Sequence, residues 1–508
     1  MAPPTLPEIF VQFLHKQNLK RRPFHKEVFG LRVFQVDLSP LRLRFSDRSP
    51  LIEVTRRELE RAPEEIYATL RDVILQLQIH DRVPIVLLEG HSAELRQLVN
   101  EPPYYMAALD EGDIDRIMES RAPSEELLAS LRRQVPLAFL SPYEVSASVT
   151  GSQFFGRDYE LKTILSHPDA SYTIVGTRRL GKTSLLKEVQ RRMEIADPSE
   201  KRYLYVDCMA FNSKEAFYNH VIEHLYPREY NRLSRMGASY TDHFGHFMKR
   251  MKAMYGAGIV FFLDEIDHLL AWDRPANYEL VKTMRACFQN GHCRFLFAGF
   301  REAQRELATP DSPFNSFGTP LYLSNFTMEQ AAELVSTPMN ALGVKLVGRH
   351  QLVNRIYRET NGHPNFLQHY CTALIRQLDE AGSREITAEN LARLSEDEGF
   401  RTRVLETFIS NTNDVDKAVA YAVADREEFS LDDIDKQIKR HRLFLETREL
   451  EDACKSLATL GVIGWVGKGY RFTVPVFPQL LRERYGGEFL FTKANEFRKL
   501  RTTGGGHA

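Results

Sequence analysis

The chain has 508 residues, of which 43% are hydrophobic and 27% are charged, so it holds enough apolar material for about two to four globular domains. Its 67 Lys and Arg residues balance 68 Asp and Glu residues, which excludes an overall basic field that would attract nucleic acid or anionic membranes. No apolar run is long enough to cross a bilayer, and the five scattered cysteines without C-x-x-C spacing indicate reduced thiols. We therefore expect a cytoplasmic protein with no membrane partner.

The N-terminal region, 1–140, predicts a separate α/β domain of unknown role. Its predicted strands are 31–37, 41–45, 83–88 and 105–109, and its predicted helices are 92–99, 112–119 and 124–134, capped by Ser92, Asp113 and Ser124. Open α/β sheets bind ligands beyond the carboxyl ends of their strands, which here points to Glu89, His91 and Asp110. No nuclease or nucleophile motif is found there, so an interaction or regulatory module is favoured over an enzyme.

A phosphate-loop pattern follows the turn-rich segment 141–153. An apolar strand precedes the sequence Gly-x-x-x-x-Gly-Lys-Thr, and a helical pattern comes directly after it. Glycines at Gly176 and Gly181 allow backbone N–H groups to wrap a polyphosphate, which the start of the helix also attracts. Lys182 is placed to reach the β- and γ-phosphates, and the Thr183 hydroxyl to bind Mg²⁺.

A second motif, a buried strand that ends in two acids, is predicted at 259–264. Asp264 is expected to hold Mg²⁺ through bound water, and Glu265 to orient and deprotonate the attacking water. Two acids at the mouth of a buried strand are costly unless a cation accompanies them. The alternative is a helix N-cap acid followed by a surface acid.

The rest of the chain predicts one parallel sheet, then helices, then a hairpin. The sheet strands are expected near 172–176, 203–207, 259–264, 294–299 and 320–323. From 414 to 485 the pattern is that of a winged helix, with three helices and a hairpin. Its third helix, 446–460, carries more acids than bases, which is unfavourable toward DNA phosphates, although basic residues on the second helix leave DNA contact open. The last residues are polar and glycine-rich, and we expect them to be flexible.

These motifs, in this order, resemble those of the P-loop ATPases of the STAND and archaeal-ATPase type, relatives of the AAA+ initiator ATPases, over about 154–485. The segment Phe154-Phe-Gly-Arg-Asp158 is similar to the motif that precedes the P-loop, whose arginine, here Arg157, contacts nucleotide. Gly362-His-Pro364 matches the G-x-P motif of the helical lid, whose proline packs near adenine. The resemblance places Arg301 where family members carry a γ-phosphate-sensing arginine, although the usual Thr-Thr-Arg reads Gly-Phe-Arg here.

The resemblance implies a fold class and a set of site residues. The fold class is α/β: a P-loop NTPase parallel sheet with a helical lid and a C-terminal winged helix, preceded by the separate α/β domain. The expected divisions are 1–140 N-terminal domain, 141–153 linker, 154–326 ATPase core, 327–400 lid, 401–487 winged helix and 488–508 flexible tail. The expected site comprises Glu265, Lys182 and Arg301 as catalytic residues, Thr183 and Asp264 as Mg²⁺ ligands, and Arg157, Gly176, Thr177, Arg178, Arg179, Leu180, Gly181, Lys182, Thr183, Ser184 and Pro364 as nucleotide-binding residues.

The function that follows is an ATP-binding and ATP-hydrolysing regulatory switch with ATP and Mg²⁺ as cofactors. In it, the state of the γ-phosphate sets how the lid, the winged helix and the N-terminal domain pack. The expected partners are a protein and, in a nucleotide-dependent manner, further copies of this chain. Two alternatives remain open: a DNA-binding initiator or loader, and a defence effector whose N-terminal domain is an enzyme.

Overall fold

Two five-stranded β-sheets organise the chain in the computed structural model, which describes residues 5–19, 21–45, 49–77, 83–102, 104–198, 202–227, 244–409 and 412–503. The first sheet belongs to the N-terminal region. Its elements are α1 (Leu6–Lys16), β1 (Arg21–Val28), β2 (Leu31–Val36), β3 (Ser49–Val54), α2 (Pro63–Gln76), β4 (Ile85–Leu88), α3 (Ala93–Val99), β5 (Ala107–Leu109), α4 (Glu111–Glu119), α5 (Pro123–Gln134) and α6 (Leu137–Leu140). The order is β1-β2-β3-β4-β5, with β1 to β3 antiparallel and β3 to β5 parallel.

The strand predicted at 41–45 is wrong. A short 3₁₀ turn ends at Leu41, Arg42 has a φ of 56°, and no ladder forms over this segment. Leu43 and Phe45 are nevertheless buried in the core. The alternation of apolar and polar residues therefore reflects a loop with one face against the core. The strands β1 and β3, which pair with β2 on either side, were not predicted.

Two of the three predicted helix caps also need correction. Ser92 caps α3 as expected. Asp110, and not Asp113, caps α4, because its side chain accepts a 3.0 Å hydrogen bond from the Asp113 N–H while Asp113 bonds back to Asp110. Helix α5 begins at Pro123, one residue before Ser124, since proline at the first position of a helix needs no N–H partner.

The second sheet lies in the predicted ATPase core. Its elements are α7 (Asp158–Ser166), β6 (Tyr172–Val175), α8 (Lys182–Ala196), β7 (Tyr203–Asp207), α9 (Lys214–Leu225), α10 (Phe244–Tyr255), β8 (Ile259–Asp264), α11 (Ile266–Asp273), α12 (Glu279–Gln289), β9 (Cys293–Gly299), α13 (Arg301–Ala308) and β10 (Thr319–Tyr322). All pairs are parallel in the order β10-β6-β9-β8-β7. Separate apolar clusters cover the two faces, which confirms the predicted parallel sheet with helices on both sides.

Helices follow the second sheet. They are α14 (Met328–Ala341), α15 (Arg349–Thr360), α16 (Pro364–Ala381), α17 (Ala388–Glu396) and α18 (Glu398–Ile409). The sequence predicted only helices here, but two short strands, β11 (Lys345–Leu346) and β12 (Glu385–Ile386), also form a parallel pair.

The C-terminal elements are α19 (Asp414–Ala422), β13 (Glu428–Phe429), α20 (Leu431–Arg440), α21 (Thr447–Thr459), β14 (Ile463–Val466), β15 (Gly469–Phe472), α22 (Phe477–Tyr485) and α23 (Phe489–Thr503). Three helices and a hairpin thus lie where the sequence predicted them. The short strand β13 adds to the hairpin, giving an antiparallel sheet in the order β13-β15-β14.

The expected flexible tail, 488–508, is wrong for most of its length because α23 occupies it. Phe489, Leu490 and Ala494 are buried in the same core as residues of α19. Lys493 Nζ lies 2.9 Å from Asp414 Oδ2 and ties the helix to the start of α19. Composition alone missed the apolar face of this helix. Residues 504–508 lie outside the described part of the chain.

The N-terminal region and the helices α14 to α18 share one core, and the predicted linker is docked against them. The Asp379 carboxylate on α16 accepts hydrogen bonds from the N–H groups of Leu137 (2.9 Å) and Ala138 (2.8 Å) at the start of α6. Tyr143 donates a 2.8 Å bond to the Val335 carbonyl on α14. All five cysteines are buried. No helix among the described residues has both the length and the apolar character that crossing a membrane requires.

Candidate functional site

A cavity of about 1070 Å³ opens at the carboxyl end of the second sheet, next to the glycine-rich loop. The residues that line it come from the loop and the start of α8, from the segments 144–149 and 153–157, from α14, α16 and α18, and from the single positions Glu265 and Phe326. The predicted nucleotide-binding residues in its wall are Arg157, Arg178, Arg179, Leu180, Gly181, Lys182, Thr183, Ser184 and Pro364. Gly176 and Thr177 are buried beneath the loop.

The backbone of the loop has the conformation that a phosphate-binding turn needs. Gly181 has a φ of 93° and Arg179 a φ of 64°, and α8 begins at the next residue after Gly181. The unpaired N–H groups of the first turn of α8 therefore face the cavity. A Cβ on Gly176 would lie 3.2 Å from the side chains of Leu180 and Leu323, so a larger residue there would push the loop outward.

Lys182 is buried in the cavity floor and holds the loop closed. Its Nζ donates hydrogen bonds of 2.9 Å to the Gly176 carbonyl and 3.0 Å to the Thr177 carbonyl. Burial lowers the pKa of Lys182, while the nearby carboxylates of Glu265 and Asp264 oppose that shift. A buried ammonium group that faces a cavity is stabilised by an anion, and a phosphate can supply more negative charge than two carbonyl dipoles.

Thr183, which lines the cavity, is in contact with the buried Asp264. The Thr183 hydroxyl donates a 2.6 Å hydrogen bond to Asp264 Oδ2, and the Tyr205 hydroxyl donates a 2.8 Å bond to the same oxygen. Because a hydroxyl has one proton and two lone pairs, Thr183 keeps its lone pairs available to a cation. Hydroxyl and carboxylate oxygens are the ligands that Mg²⁺ prefers, so the two residues fit that ion.

Glu265 follows Asp264 in a left-handed conformation, with a φ of 50°. Its backbone N–H donates a 3.0 Å bond to Asp264 Oδ1, and its half-buried side chain lines the cavity. Burial raises the pKa of Glu265, and Asp264 and Asp267 add to that rise while Lys182 opposes it. The alternative expected Asp264 to cap the helix and Glu265 to be a surface acid. The residue at the N-cap of α11 is instead Glu265, which makes no capping hydrogen bond and is half-buried.

Arg157 supports the loop from below. Its guanidinium donates hydrogen bonds to the carbonyls of Leu180 (3.1 Å) and Ser324 (2.7 Å), pairs with Glu160 at 3.3 Å, and lies 4.8 Å from the centre of the Phe326 ring. Burial lowers its pKa, and Glu160 opposes this. Arg157 thus links the P-loop to the segment after β10 as well as facing the cavity.

The structure does not bring Arg301 to this cavity. Arg301 begins α13, and its guanidinium donates a 3.0 Å bond to Ser456 Oγ and lies 3.5 Å from Asp416 Oδ2. Both partners belong to the C-terminal helices, and all three residues line a second cavity of about 660 Å³. The expected catalytic set is therefore divided: Lys182 and Glu265 share one site, and Arg301 is drawn away by a buried carboxylate.

Asp267 is a further residue at this edge of the sheet, and no role was predicted for it. Its carboxylate accepts hydrogen bonds from the N–H groups of Phe300 (2.5 Å) and Glu302 (2.6 Å), which joins the end of β8 to the end of β9. A Cβ on Gly299 would lie 2.6 Å from Asp267 Oδ2. Close packing therefore leaves no room for a threonine side chain at the first position of the Gly-Phe-Arg segment.

The segment 144–149 was expected to be only a linker, and no motif in it signalled a role at the site. It crosses between α16 and α8. Asn365 on α16 donates a 2.8 Å hydrogen bond to the Val145 carbonyl, and the Val149 N–H donates a 3.1 Å bond to Ser184 Oγ at the start of α8. The segment therefore forms one wall of the cavity and is attached on both sides of it.

The acidic cluster of the N-terminal sheet is mainly a capping and ion-pair network. His91 Nδ1 and Arg96 each lie 2.9 Å from Asp110 Oδ2, while the other oxygen of Asp110 caps α4. Ser92, the hydroxyl next to His91, caps α3. His91 and Asp110 are therefore in contact. The other hydrogen bonds of Asp110 and of Ser92, however, cap helices or pair with Arg96.

A parallel sheet with a glycine-rich loop between β6 and α8, and an acid pair at the end of β8, defines a P-loop NTPase. The model of the AAA domain family matches residues 166–307. This part of the chain therefore has the P-loop NTPase fold and is similar to the AAA domain of ATPases.

Solved structures give distant similarities. A Walker-type ATPase of Pyrococcus abyssi is 14% identical over 67% of this chain and 99% of its own, with a TM-score of 0.49. The ORC2 protein of Aeropyrum pernix is 13% identical over 68% of this chain and 98% of its own, with a TM-score of 0.48. The RuvB Holliday junction branch migration motor of Thermotoga maritima is 14% identical over 64% of this chain and 95% of its own, with a TM-score of 0.38. No curated protein matches the chain by sequence.

Proposed function

We propose that the chain is an ATP-binding and ATP-hydrolysing regulatory switch of the STAND and AAA+ type. The γ-phosphate state of the bound nucleotide is coupled to the packing of a helical lid (327–400), a winged helix (401–487) and the N-terminal domain (1–140). The observation that carries the proposal is the composition of the cavity wall. A nucleotide held there contacts the P-loop, the lid helices and the segment that leads to the N-terminal domain at the same time.

The phosphate end of the cavity supplies the groups that bind and hydrolyse ATP. Lys182 exchanges its bonds to the loop carbonyls for bonds to the β- and γ-phosphates, and the first turn of α8 donates N–H groups. Thr183 and Asp264 hold Mg²⁺, which when bound neutralises phosphate charge. Glu265, whose pKa is raised by burial, orients and deprotonates the attacking water. At the other end, Pro364 contacts the base, and Arg157 contacts nucleotide while it holds the loop.

The segment 144–149 transmits the state of the cavity to the N-terminal domain. Glu144, at its beginning, pairs with Arg44 of that domain at 3.1 Å. The Glu144 N–H donates a 3.2 Å hydrogen bond to Gln368 on α16, which also lines the cavity. A nucleotide that moves α16 relative to α8 therefore pulls on the residues that anchor the N-terminal domain.

Arg301 couples the ATPase core to the C-terminal helices. In the present arrangement it is held by Asp416 and Ser456. We propose that a γ-phosphate competes with Asp416 for Arg301, so that the ATP state releases α19. To convert nearly all molecules from the state with α19 held to the state with α19 released, ATP must bind the second state more favourably by about 5.5 kcal/mol. Several charged contacts to one phosphate can supply this difference in binding free energy.

The test compares Lys182→Ala with Lys162→Ala, a change of an exposed lysine on α7. Fluorescent ATP binding should be lost with the first variant and unchanged with the second. The switch itself is tested by the particle mass and by hydrogen exchange of 144–149 and α19, with ADP and with a slowly hydrolysed ATP analogue. Identical mass and exchange in the two nucleotides would contradict the switch, even if ATP binds. A larger particle with the ATP analogue would support the expected assembly of copies.

A DNA-binding initiator or loader stays the second candidate. The exposed Trp465 on β14 and the nearby Lys468 form a hairpin tip that could contact a duplex. The acidic residues on α21, among them Glu449 and Asp452, oppose such contact. Salt-dependent binding to random duplex, lost in Trp465→Ala, would favour this candidate over the switch. Among the described residues, the third alternative, an N-terminal enzyme, is supported only by the contact between His91 and Asp110.

A further inference from the structure

Tyr205 belongs to neither nucleotide motif, yet its hydroxyl contacts Asp264, the carboxylate that is expected to bind the metal ion. It lies on β7, the strand at the edge of the second sheet, opposite Phe262 of β8. Its ring packs in the apolar cluster on the α8 face of the sheet, and Lys187 Nζ lies 5.1 Å from the ring centre. The hydroxyl donates a hydrogen bond to Asp264 Oδ2 at 2.8 Å.

Three donors fix the orientation of the Asp264 carboxylate. Oδ2 accepts from Thr183 and Tyr205, and Oδ1 accepts from the Glu265 N–H at 3.0 Å. The Thr183 bond and the Glu265 bond come from the two nucleotide motifs themselves. The Tyr205 bond comes from a neighbouring strand, so it sets the plane of the carboxylate independently of the loop.

We infer that Tyr205 is a positioning residue for Asp264, and that its hydroxyl tunes how tightly the site holds a divalent cation with nucleotide. This assignment deepens the proposed function and rests on it. Asp264 is only 3% exposed, so water does not easily replace a lost donor. Without the phenol, the carboxylate can rotate away from the orientation in which it faces Thr183. Groups that orient metal-binding residues typically change metal affinity by about 10- to 100-fold when they are removed.

The test uses Tyr205→Phe, which removes one oxygen and keeps the ring and its packing. Tyr203→Phe is the matched control, because Tyr203 lies on the same strand and packs in the same cluster, but its hydroxyl donates to Asp197 at 3.3 Å. Mn²⁺ binding to each ADP-bound protein is followed by electron paramagnetic resonance, and ADP affinity is measured separately in EDTA. Asp264→Asn serves as the variant that should lose Mn²⁺.

The expected result is a Kd for Mn²⁺ about 10-fold higher in Tyr205→Phe, a change of less than about 2-fold in Tyr203→Phe, and equal ADP affinity in EDTA for both. Equal Mn²⁺ affinity in the two variants would overturn the assignment. So would a loss of metal-free ADP affinity in Tyr205→Phe as large as its loss of Mn²⁺ affinity, since that would reveal a general disturbance of the site. The assignment of Tyr205 would also be overturned if the wild-type protein bound ADP equally well with and without Mn²⁺. If Lys182→Ala bound ATP as well as the wild type, by contrast, the proposed function itself would be contradicted.

Discussion

Glu144 is the residue at which a single substitution should loosen the wall of the cavity without touching the P-loop. Its Oε1 accepts hydrogen bonds from the N–H groups of Val145 (2.9 Å), Ser146 (2.9 Å) and Ala147 (3.2 Å), and its Oε2 pairs with Arg44 at 3.1 Å. Burial acts to raise the pKa of Glu144, but these donors outweigh it and hold the pKa below its usual value. At neutral pH the carboxylate is therefore ionised, and both of its oxygens have partners.

We predict that Glu144→Ala weakens the attachment of this segment by about 2–4 kcal/mol. Each backbone bond contributes roughly 0.5–1 kcal/mol, because water can reach the half-exposed segment in its place. The ion pair, whose side chains are 34% and 23% exposed, adds about 0.2–1 kcal/mol. Since about 1.4 kcal/mol corresponds to a factor of ten, the segment should open roughly 30- to 700-fold more often.

Hydrogen exchange of the amides of Val145, Ser146 and Ala147 measures this opening directly. Arg44→Ala removes only the ion pair, and it should accelerate the same amides by less than about 5-fold. Glu94→Ala, at an exposed position on α3, should leave them unchanged. Unaltered exchange in Glu144→Ala would refute the reasoning, because the three N–H groups would then be protected by something other than the carboxylate. At low pH the wild type should approach the variant: the folded pKa is depressed, so this stabilisation is complete above the unfolded pKa and is lost as the pH falls through the folded one.

Three further predictions concern catalysis, coupling and acid stability. Glu265→Gln should keep ATP affinity within about 2-fold but slow hydrolysis by about 100-fold or more, measured as phosphate release; hydrolysis at the parent rate would remove Glu265 from its role. Asp416→Asn should release Arg301 to the γ-phosphate and tighten the binding of a slowly hydrolysed ATP analogue, relative to ADP, by up to about 5-fold, while Asp414→Asn, an exposed neighbour, should have no such effect. His363 is buried, and burial together with nearby arginines lowers its pKa to about 4. As the pH falls, the histidine of the unfolded chain is protonated before that of the folded protein, so the free energy of unfolding should decrease between about pH 6.5 and pH 4. Urea unfolding across this range should show a smaller loss for His363→Asn, and an equal loss would count against the histidine as the cause.

The nucleotide motifs were predictable from sequence because their geometry is local. The loop needs left-handed backbone at Gly181 and a helix that starts at Lys182, and both requirements are met by residues next to each other in the chain. Asp264 ends a strand of six buried residues, so its place at the sheet edge also follows from a local pattern. That this sheet is parallel was likewise predictable, because strands and helices alternate along the sequence.

Errors arose where local patterns and tertiary contacts disagree. Apolar and polar residues alternate at 41–45, as they do both in a strand and in a loop that packs one face against a core. Only the pairing with a neighbouring strand, which is absent here, distinguishes a strand from such a loop. The C-terminal segment looked too polar to fold, yet Phe489 and Leu490 find an apolar surface on helices that lie far from them in sequence.

The amino-acid sequence by itself thus determined the chemistry of the site: a phosphate loop, a lysine, and the acid pair Asp264 and Glu265. Tertiary structure alone decided what surrounds it. Tyr205 reaches Asp264 because β7 and β8 are neighbours, and Arg301 is directed to Asp416 because the C-terminal helices pack there. Such contacts join residues separated by 59 and 115 positions, and they depend on how whole elements pack, which no local spacing of side chains encodes.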